Sequence, residues 1–333
     1  KFIEFLILLP NLLPDDKLPQ NPKTPNKWKI EIIDSYVFYL FKSKNFIMRI
    51  TVLGGSGFIG SHVADELSKK GHKVTIFDKK KSKWLRDDQK MFIGDIFNYK
   101  VLEKAIKGSQ IVYNFAALAN LDQAMKEPLT SARTNILGTV QALSLCIKYK
   151  VKKFIQASSI YVGTNQGGFY SCSKRAADDY VKEFCESYKQ NYTIIRYGSV
   201  YGQRSDKSNG LRKILDKAIL QRKLIYLGNK QAVRKYINVL DAAKASVEIL
   251  KNSYNKKSII LTGQKLVKVS DVLKFLSKTL KINSRAIFKN DKSNKHYVKE
   301  PSPYRVAKAT EFKFNKTIDF KKSVNSLIKE LKN

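Results

Sequence analysis

A chain of 333 residues, 43% of them hydrophobic, has the length for a full α/β core and about two domains, and its apolar content is ordinary for a globular protein. Three unpatterned cysteines (Cys146, Cys172, Cys185) exclude a disulfide scaffold and fit a reducing cytosol, and three histidines (His62, His72, His296) show no ligand-like spacing, so no metal is expected. The net charge of +35 comes mostly from lysine spread along the whole chain, without a basic arm or arginine–aromatic interleaving.

That charge reads as a lysine-rich solvated surface that helps attract anionic substrates; a nucleic-acid partner is the minor reading. Residues 1–47 fall outside the pattern that follows. Phe2 to Leu9 is apolar but short, carries Glu4 and meets Pro10, too brief for a membrane span and without the marks of a signal peptide, so no stable membrane insertion is expected. Pro14 to Lys27 reads as linker, and a second apolar patch covers Tyr36 to Phe41. Met48 stands immediately before the first strand, which suggests that it is the natural start and that 1–47 is an extension outside the core. A membrane-associating segment is the alternative.

Ile50 to Leu53 reads as a buried parallel strand, followed by Gly54-Gly-Ser-Gly-Phe-Ile-Gly60 and a helical stretch from Ser61 that stops at Gly71. Strand, glycine-rich turn and helix in that order receive a dinucleotide pyrophosphate at the helix N-terminus, so Gly54, Gly57, Phe58, Ile59 and Gly60 are candidate cofactor contacts. The next strand, Lys73 to Asp78, ends in a carboxylate at the place where one binds the adenosine ribose. Asp78 favours NAD over NADP because it repels a 2′-phosphate, although Lys79-Lys-Lys81 follows directly.

Strands and helices then alternate, which predicts a doubly wound, Rossmann-type α/β fold with a parallel sheet. Further strands are read at 91–93, 111–117, 154–157 and 193–196, with helices at 99–107, 129–149 and 170–188. Beyond Gly202 the pattern loosens: helix 210–222, strand 224–227, a helix 241–251 opened by Asp241, strand 258–261, helix 269–280 and a last helix at 319–332. The expected organisation is a nucleotide-binding domain over 48–197, its sheet completed by segments near 234–262, and a smaller α/β substrate-binding region over 198–333.

Tyr170 and Lys174 lie four residues apart, on one helix face, where an ammonium can lower a phenol's pKa. The same spacing recurs at Tyr149/Lys153, Tyr226/Lys230 and Tyr304/Lys308, but only Tyr170/Lys174 opens a helix after a strand ending in Ser158-Ser159, beyond the edge where such sheets bind ligands. With Gly94-Asp95, Phe115-Ala-Ala117, Asn135-Ile-Leu-Gly-Thr139, Arg196-Tyr-Gly-Ser-Val-Tyr-Gly202 and Arg234-Lys-Tyr-Ile-Asn-Val-Leu-Asp241, the chain from about residue 48 to 332 resembles the extended short-chain dehydrogenases/reductases, in their NAD-dependent sugar epimerase/dehydratase group of the UDP-glucose 4-epimerase kind.

The resemblance implies that Tyr170 is the general base and acid on a sugar hydroxyl, that Lys174 binds the nicotinamide ribose and depresses the phenol's pKa, and that Ser158, or Ser159 in its place, hydrogen-bonds the reacting oxygen. It also places Asp95 and Ile96 near the adenine, Ala116 and Ala117 beside the cofactor, and Ser159, Ser199 and Arg234 on the substrate, the arginine on its diphosphate. Asp241 reads as a helix cap. The implied reaction removes hydride and proton to give a keto-sugar that is reduced again from its other face, in a homodimer with NAD. The interval from Ser158 to Tyr170 is short for the family, Ser199 stands for a common asparagine, Lys235 for an aspartate and Gln203 for a proline. Ser159-Ile160 follow Ser158 where sugar dehydratases carry an Asp-Glu pair, so epimerisation is expected, with an NAD(P)-dependent sugar dehydrogenase or reductase as the alternative. A non-catalytic nucleic-acid-binding member is the reading from another class.

Overall fold

A computed structural model describes residues 47–289, Val298 and residues 309–332. The apolar opening, linker and second patch within 1–46, His296, and the Tyr304/Lys308 pair lie outside the described residues.

The first unit of the fold is β1 (Arg49–Leu53), the glycine turn, α1 (Phe58–Lys69) and β2 (Lys73–Asp78). Both faces of β1 are buried from Ile50 to Leu53, as in a parallel strand covered by helices on each side. Gly71 ends α1 as expected: its N–H donates to Ser68 O and that of His72 to Leu67 O, the paired bonds of a Schellman stop at a positive φ of 81°. The chain continues through β3 (Gln89–Ile93), α2 (Tyr99–Ile106), β4 (Ile111–Asn114), α3 (Leu121–Lys126), α4 (Pro128–Ala132), a π-turn (Arg133–Leu137) and α5 (Gly138–Lys148). Next come β5 (Lys153–Ser159), a 3₁₀ turn (Ile160–Gly163), α6 (Gly168–Ser187) and β6 (Asn191–Tyr197).

The later part holds β7 (Ser199–Tyr201), α7 (Gly210–Leu220), β8 (Ile225–Leu227), β9 (Val233–Arg234), β10 (Tyr236–Asn238) and α8 (Val239–Glu248). It closes with β11 (Lys257–Leu261), β12 (Val267–Lys268), α9 (Val269–Leu280), β13 (Ile287–Lys289), β14 (Thr310–Glu311) and α10 (Phe320–Lys332). Eight strands form one parallel sheet in the order β14-β11-β6-β5-β4-β1-β2-β3. The winding reverses between β1 and β4, so the crevice at the carboxyl ends of those two strands is the place for a ligand.

Val63 and Leu67 of α1 and Ala242 and Ala245 of α8 cover one face of the sheet through Ile50, Val52, Ile195 and Ile259. Leu102 of α2, Leu143 of α5 and Val181 of α6 cover the other through Leu53, Val112 and Phe154. A separate core joins α7, α9 and α10 through Leu211, Leu215, Leu273, Leu276, Val324 and Leu327. Three small two-stranded pairings, β7–β10, β9–β12 and β8–β13, stitch this region together.

Three local readings differ from the sequence pattern. The helix read at 129–149 runs continuously from Pro128 to Lys148 but carries a π-turn at Arg133–Leu137, and a separate short helix, α3, capped by Asn120 accepting from Gln123 N at 3.0 Å, precedes it. β4 stops at Asn114 rather than Ala117, since the Asn114 carboxamide oxygen takes Ala116 N at 3.2 Å and turns the chain. Asp241 does not cap α8. Asn238 does, accepting from Leu240 N at 2.8 Å, while the buried Asp241 carboxylate accepts from Ile318 N at 2.8 Å and ties down the chain before α10.

Candidate active site

At the crevice, Gly54 N donates to Phe77 O at 2.8 Å, and its backbone has a positive φ of 75°. A Cβ on Gly54 would lie 2.6 Å from Ala116 N, and one on Gly60 would run into Gly54 O. Both positions are closed to any side chain, which is how turn and helix come close enough to hold a pyrophosphate. Gly57 is the N-cap of α1 and has no side chain to give, so the first-turn N–H groups keep the geometry that receives an anion. Phe58 and Ile59 pack their side chains against the core below, leaving their backbone to the crevice.

The half-buried Asp78 carboxylate stands beside this turn, with Oδ2 accepting from Ser56 N at 3.0 Å and Oδ1 from Lys80 N at 3.2 Å. A carboxylate so fixed retains lone pairs for a ribose diol. The exposed Asp95 is oriented by Phe97 N, donated to its Oδ1 at 2.9 Å. Ile96 is buried against Gly138, and its carbonyl accepts from Gln141 Nε2 at 2.6 Å, so its side chain belongs to the core. Ala116 and Ala117 lie half-buried beyond β4, with the Ala116 backbone against Gly54. Turn, ribose acid and alanine edge together fit a dinucleotide.

The candidate reacting centre lies at the end of β5. Ser158 and Ser159 alternate along the strand and serve different partners. The Ser159 hydroxyl stands against the Tyr170 phenol and lowers its pKa, while burial and the Asp178 charge raise it; burial dominates and pushes the phenol up to about 12. Ser158 turns toward α6. Its Oγ and Asp178 Oδ1 are both buried without a conventional hydrogen bond, and the hydroxyl lies close enough to favour the ionised carboxylate. Lys174, one turn after Tyr170, is 3% exposed, and burial brings its pKa down to about 8 against the attraction of Asp178.

The short link from Ser159 to α6 is pinned along its length. Ser171 Oγ donates to Tyr161 O at 2.8 Å, Arg175 Nε to Val162 O at 3.1 Å and Arg175 Nη2 to Thr164 O at 2.9 Å. Tyr161 sets its ring edge-on to that of Tyr170, with centroids 6.4 Å apart. The Tyr149/Lys153 pair is separated by its own partners: Tyr149 donates to Glu103 at 2.7 Å, and Lys153 to Ile249 O at 2.7 Å. Ser199 opens β7 opposite Tyr236, and Arg234 is buried on β9, donating to Tyr226 Oη at 3.0 Å and Val233 O at 2.7 Å.

Residues 50–262 match the NAD dependent epimerase/dehydratase family model. The chain belongs to that family. A protein of Methanocaldococcus jannaschii that carries the provisional name UDP-glucose 4-epimerase is 28% identical over 309 residues, covering 85% of this chain and 98% of its own. A dTDP-D-glucose 4,6-dehydratase of Dictyostelium discoideum is 28% identical over 256 residues, covering 64% of this chain and 59% of that protein. Among solved structures, the UDP-N-acetylglucosamine 4-epimerase from Methanobrevibacter ruminantium superposes with a TM-score of 0.73 at 24% identity, over 86% of this chain and 98% of that one, and shows the same fold.

For this member of the NAD-dependent family, sequence reasoning assigned no role to two residues that shape the site: Asn135, quoted only within a motif, and Asp178. Asn135, fully buried in the π-turn, accepts from Leu118 N at 2.8 Å and donates to Ser173 Oγ at 2.9 Å, and that hydroxyl donates to Tyr170 O at 2.9 Å. Nothing in local periodicity marks a π-turn. Asp178 carried a usable signal, since it continues the four-residue spacing of Tyr170 and Lys174 along α6.

Proposed function

We propose that this protein is an epimerase of a nucleotide-activated sugar that works through transient oxidation. The observation that carries the reading is the Tyr170 phenol against Ser159, at the end of β5, with Lys174 one turn along α6 and the glycine turn at the neighbouring strand ends. Gly54, Gly57, Gly60, Asp78, Asp95 and the 116–117 backbone would hold NAD. When bound, NAD supplies the acceptance and return of hydride.

Tyr170 takes the proton of the sugar hydroxyl as the carbon loses hydride, and gives it back when the ketone is reduced from its other face. Ser159 hydrogen-bonds the reacting oxygen; Ser158, committed to the Asp178 side, supports from below. Burial pushes the phenol up to about 12 in the ligand-free protein, so Tyr170 is protonated at neutral pH and ready to donate. The two residues after Ser159 are Ile160 and Tyr161, neither of them an acid for water elimination. Arg234, fixed by Tyr226, would hold the diphosphate.

The finer assignments follow. Asp78 supports NAD over NADP. Three unpaired cysteines support a cytoplasmic setting, and among the described residues no helix is long and apolar enough to cross a membrane. Leu129 (80% exposed), Leu137 (57%) and Tyr180 (46%) on the neighbouring α4–α5 run and α6 support a homodimer through those helices. The test of the main reading is mass spectrometry of small molecules released by heating the purified protein. NAD is expected. Neither dinucleotide nor nucleotide sugar, together with no NAD binding on titration, would overturn the reading. Readily exchanged cofactor and net reduced-nicotinamide absorbance would mark a dehydrogenase or reductase instead.

A further inference from the structure

Asp178 is a buried carboxylate that the proposed chemistry leaves without a task. It is 1% exposed, on the face of α6 one turn beyond Lys174, which is itself 3% exposed. Arg196, 3% exposed, reaches Asp178 Oδ2 from β6 at 3.4 Å. The register of β5 and β6 sets Arg196 directly beside Ser158, so the carboxylate is met by a guanidinium and a hydroxyl from two adjacent strands. Its other oxygen, Oδ1, is buried with no conventional hydrogen bond. An ionised carboxylate is costly to bury, and a single ion pair with one oxygen left over does not by itself stabilise a fold.

We propose that Asp178 is a positioning residue of the candidate reacting centre: a buried counter-charge, anchored by Arg196, that holds Lys174 as an ammonium one turn along α6 from Tyr170. The inference rests on the reading of Lys174 as the cation of that centre. The charged groups that face the carboxylate are Arg196 from β6 and, on α6 itself, Lys174 and Lys182; β5 contributes the neutral Ser158. Among the described residues, the helices packed on the other side of α6 approach through neutral groups, Ser131 and Asn135, both on Ser173. Without Asp178, desolvation alone would act on Lys174 and drive it toward the neutral amine, which cannot support a phenolate.

The test uses the ligand-free full chain labelled with ¹⁵Nζ-lysine, the Lys174 signal being identified by its loss in Lys174→Met. Wild type should titrate at about 8. Asp178→Asn alone strands a buried guanidinium, so the informative variant is Asp178→Asn combined with Arg196→Gln, which removes both charges at nearly constant shape. Its Lys174 midpoint should fall by about one pH unit or more. An unmoved midpoint in the folded double variant would overturn the inference. In the wild-type protein, which needs no variant to fold, the ¹³Cγ signal of Asp178 should inflect at the Lys174 midpoint; a flat response there would also overturn it. With UDP-glucose and NAD, the alkaline limb of turnover should move with the Lys174 midpoint. A moved midpoint with no turnover of nucleotide sugars in wild type would sink the functional reading and leave the counter-charge standing, whereas turnover with an unmoved midpoint would sink only the counter-charge.

Discussion

The crevice between β1 and β4 and the region around Arg234 place their candidate ligand-binding groups by opposite means. In the crevice they are largely backbone, set by where consecutive strands end and α1 begins: Gly54 is fixed by Phe77 O at 2.8 Å, and Gly60 by its fit on Gly54. Around Arg234 a side chain on a two-residue strand is aimed by Tyr226 from β8, while β9 pairs with β12 from further along the chain. The first arrangement is local in sequence and intolerant of added atoms. The second depends on long-range pairings, and single contacts within it can be lost one at a time. Substitutions in the crevice should therefore remove cofactor binding or stability outright, and substitutions around Arg234 should move substrate affinity alone.

Tyr170→Phe should show the largest effect: turnover falls by about 10²–10⁴-fold with NAD retention and thermal unfolding close to wild type. A variant retaining wild-type turnover would remove Tyr170 from the chemistry. Gly54→Ala adds a Cβ 2.6 Å from Ala116 N at a positive φ of 75°. It should lose about 2–4 kcal/mol in urea unfolding, with NAD binding below detection by calorimetry. Unchanged binding would contradict the backbone cradle.

Lys153, at the start of β5 and away from the carboxyl-end crevice, gives a pH-dependent effect. Burial lowers its pKa to about 8, although its ammonium donates to Ile249 O at 2.7 Å. The unfolded chain keeps a lysine pKa of about 10.4 and so binds more protons across that window, which means stability rises with pH through it. Between pH 7.5 and 9.5 wild type should gain about 2 kcal/mol relative to Lys153→Met in urea unfolding. Parallel pH responses of the two proteins would refute a buried, depressed lysine. Tyr226→Phe should be mildest, raising KM for a UDP-sugar about fivefold with kcat and NAD binding unchanged, the loss of one hydrogen bond worth about 1 kcal/mol. A fall in kcat without a change in KM would break the division between the two regions.

The same contrast explains what the sequence could tell. Strand, glycine turn and α1 are contiguous, so periodicity and the Gly71 stop were readable from residues alone. Alternation shows that Ser158 and Ser159 face opposite sides of β5, but which side meets Tyr170 depends on how the pinned 160–167 link brings α6 in, and that geometry involves Arg175 and Ser171. The π-turn inside the helix read at 129–149 goes with Asn135 reaching back to Leu118, a partner 17 residues earlier, and no local window contains that bond. Asn238 outcompeted Asp241 as the cap of α8 because Asp241 was drawn to Ile318, 77 residues away.

The central claim, inversion through transient oxidation of one sugar carbon, is tested most directly by proton NMR in D₂O of the purified protein with UDP-glucose, UDP-N-acetylglucosamine and UDP-glucuronic acid in turn. The account predicts that at least one is converted to its epimer with the hydrogen on the inverted carbon retained as protium, since hydride leaves and returns to the same carbon without meeting solvent. Deuterium at the inverted carbon would contradict it, because that carbon would then have exchanged a proton instead of a hydride.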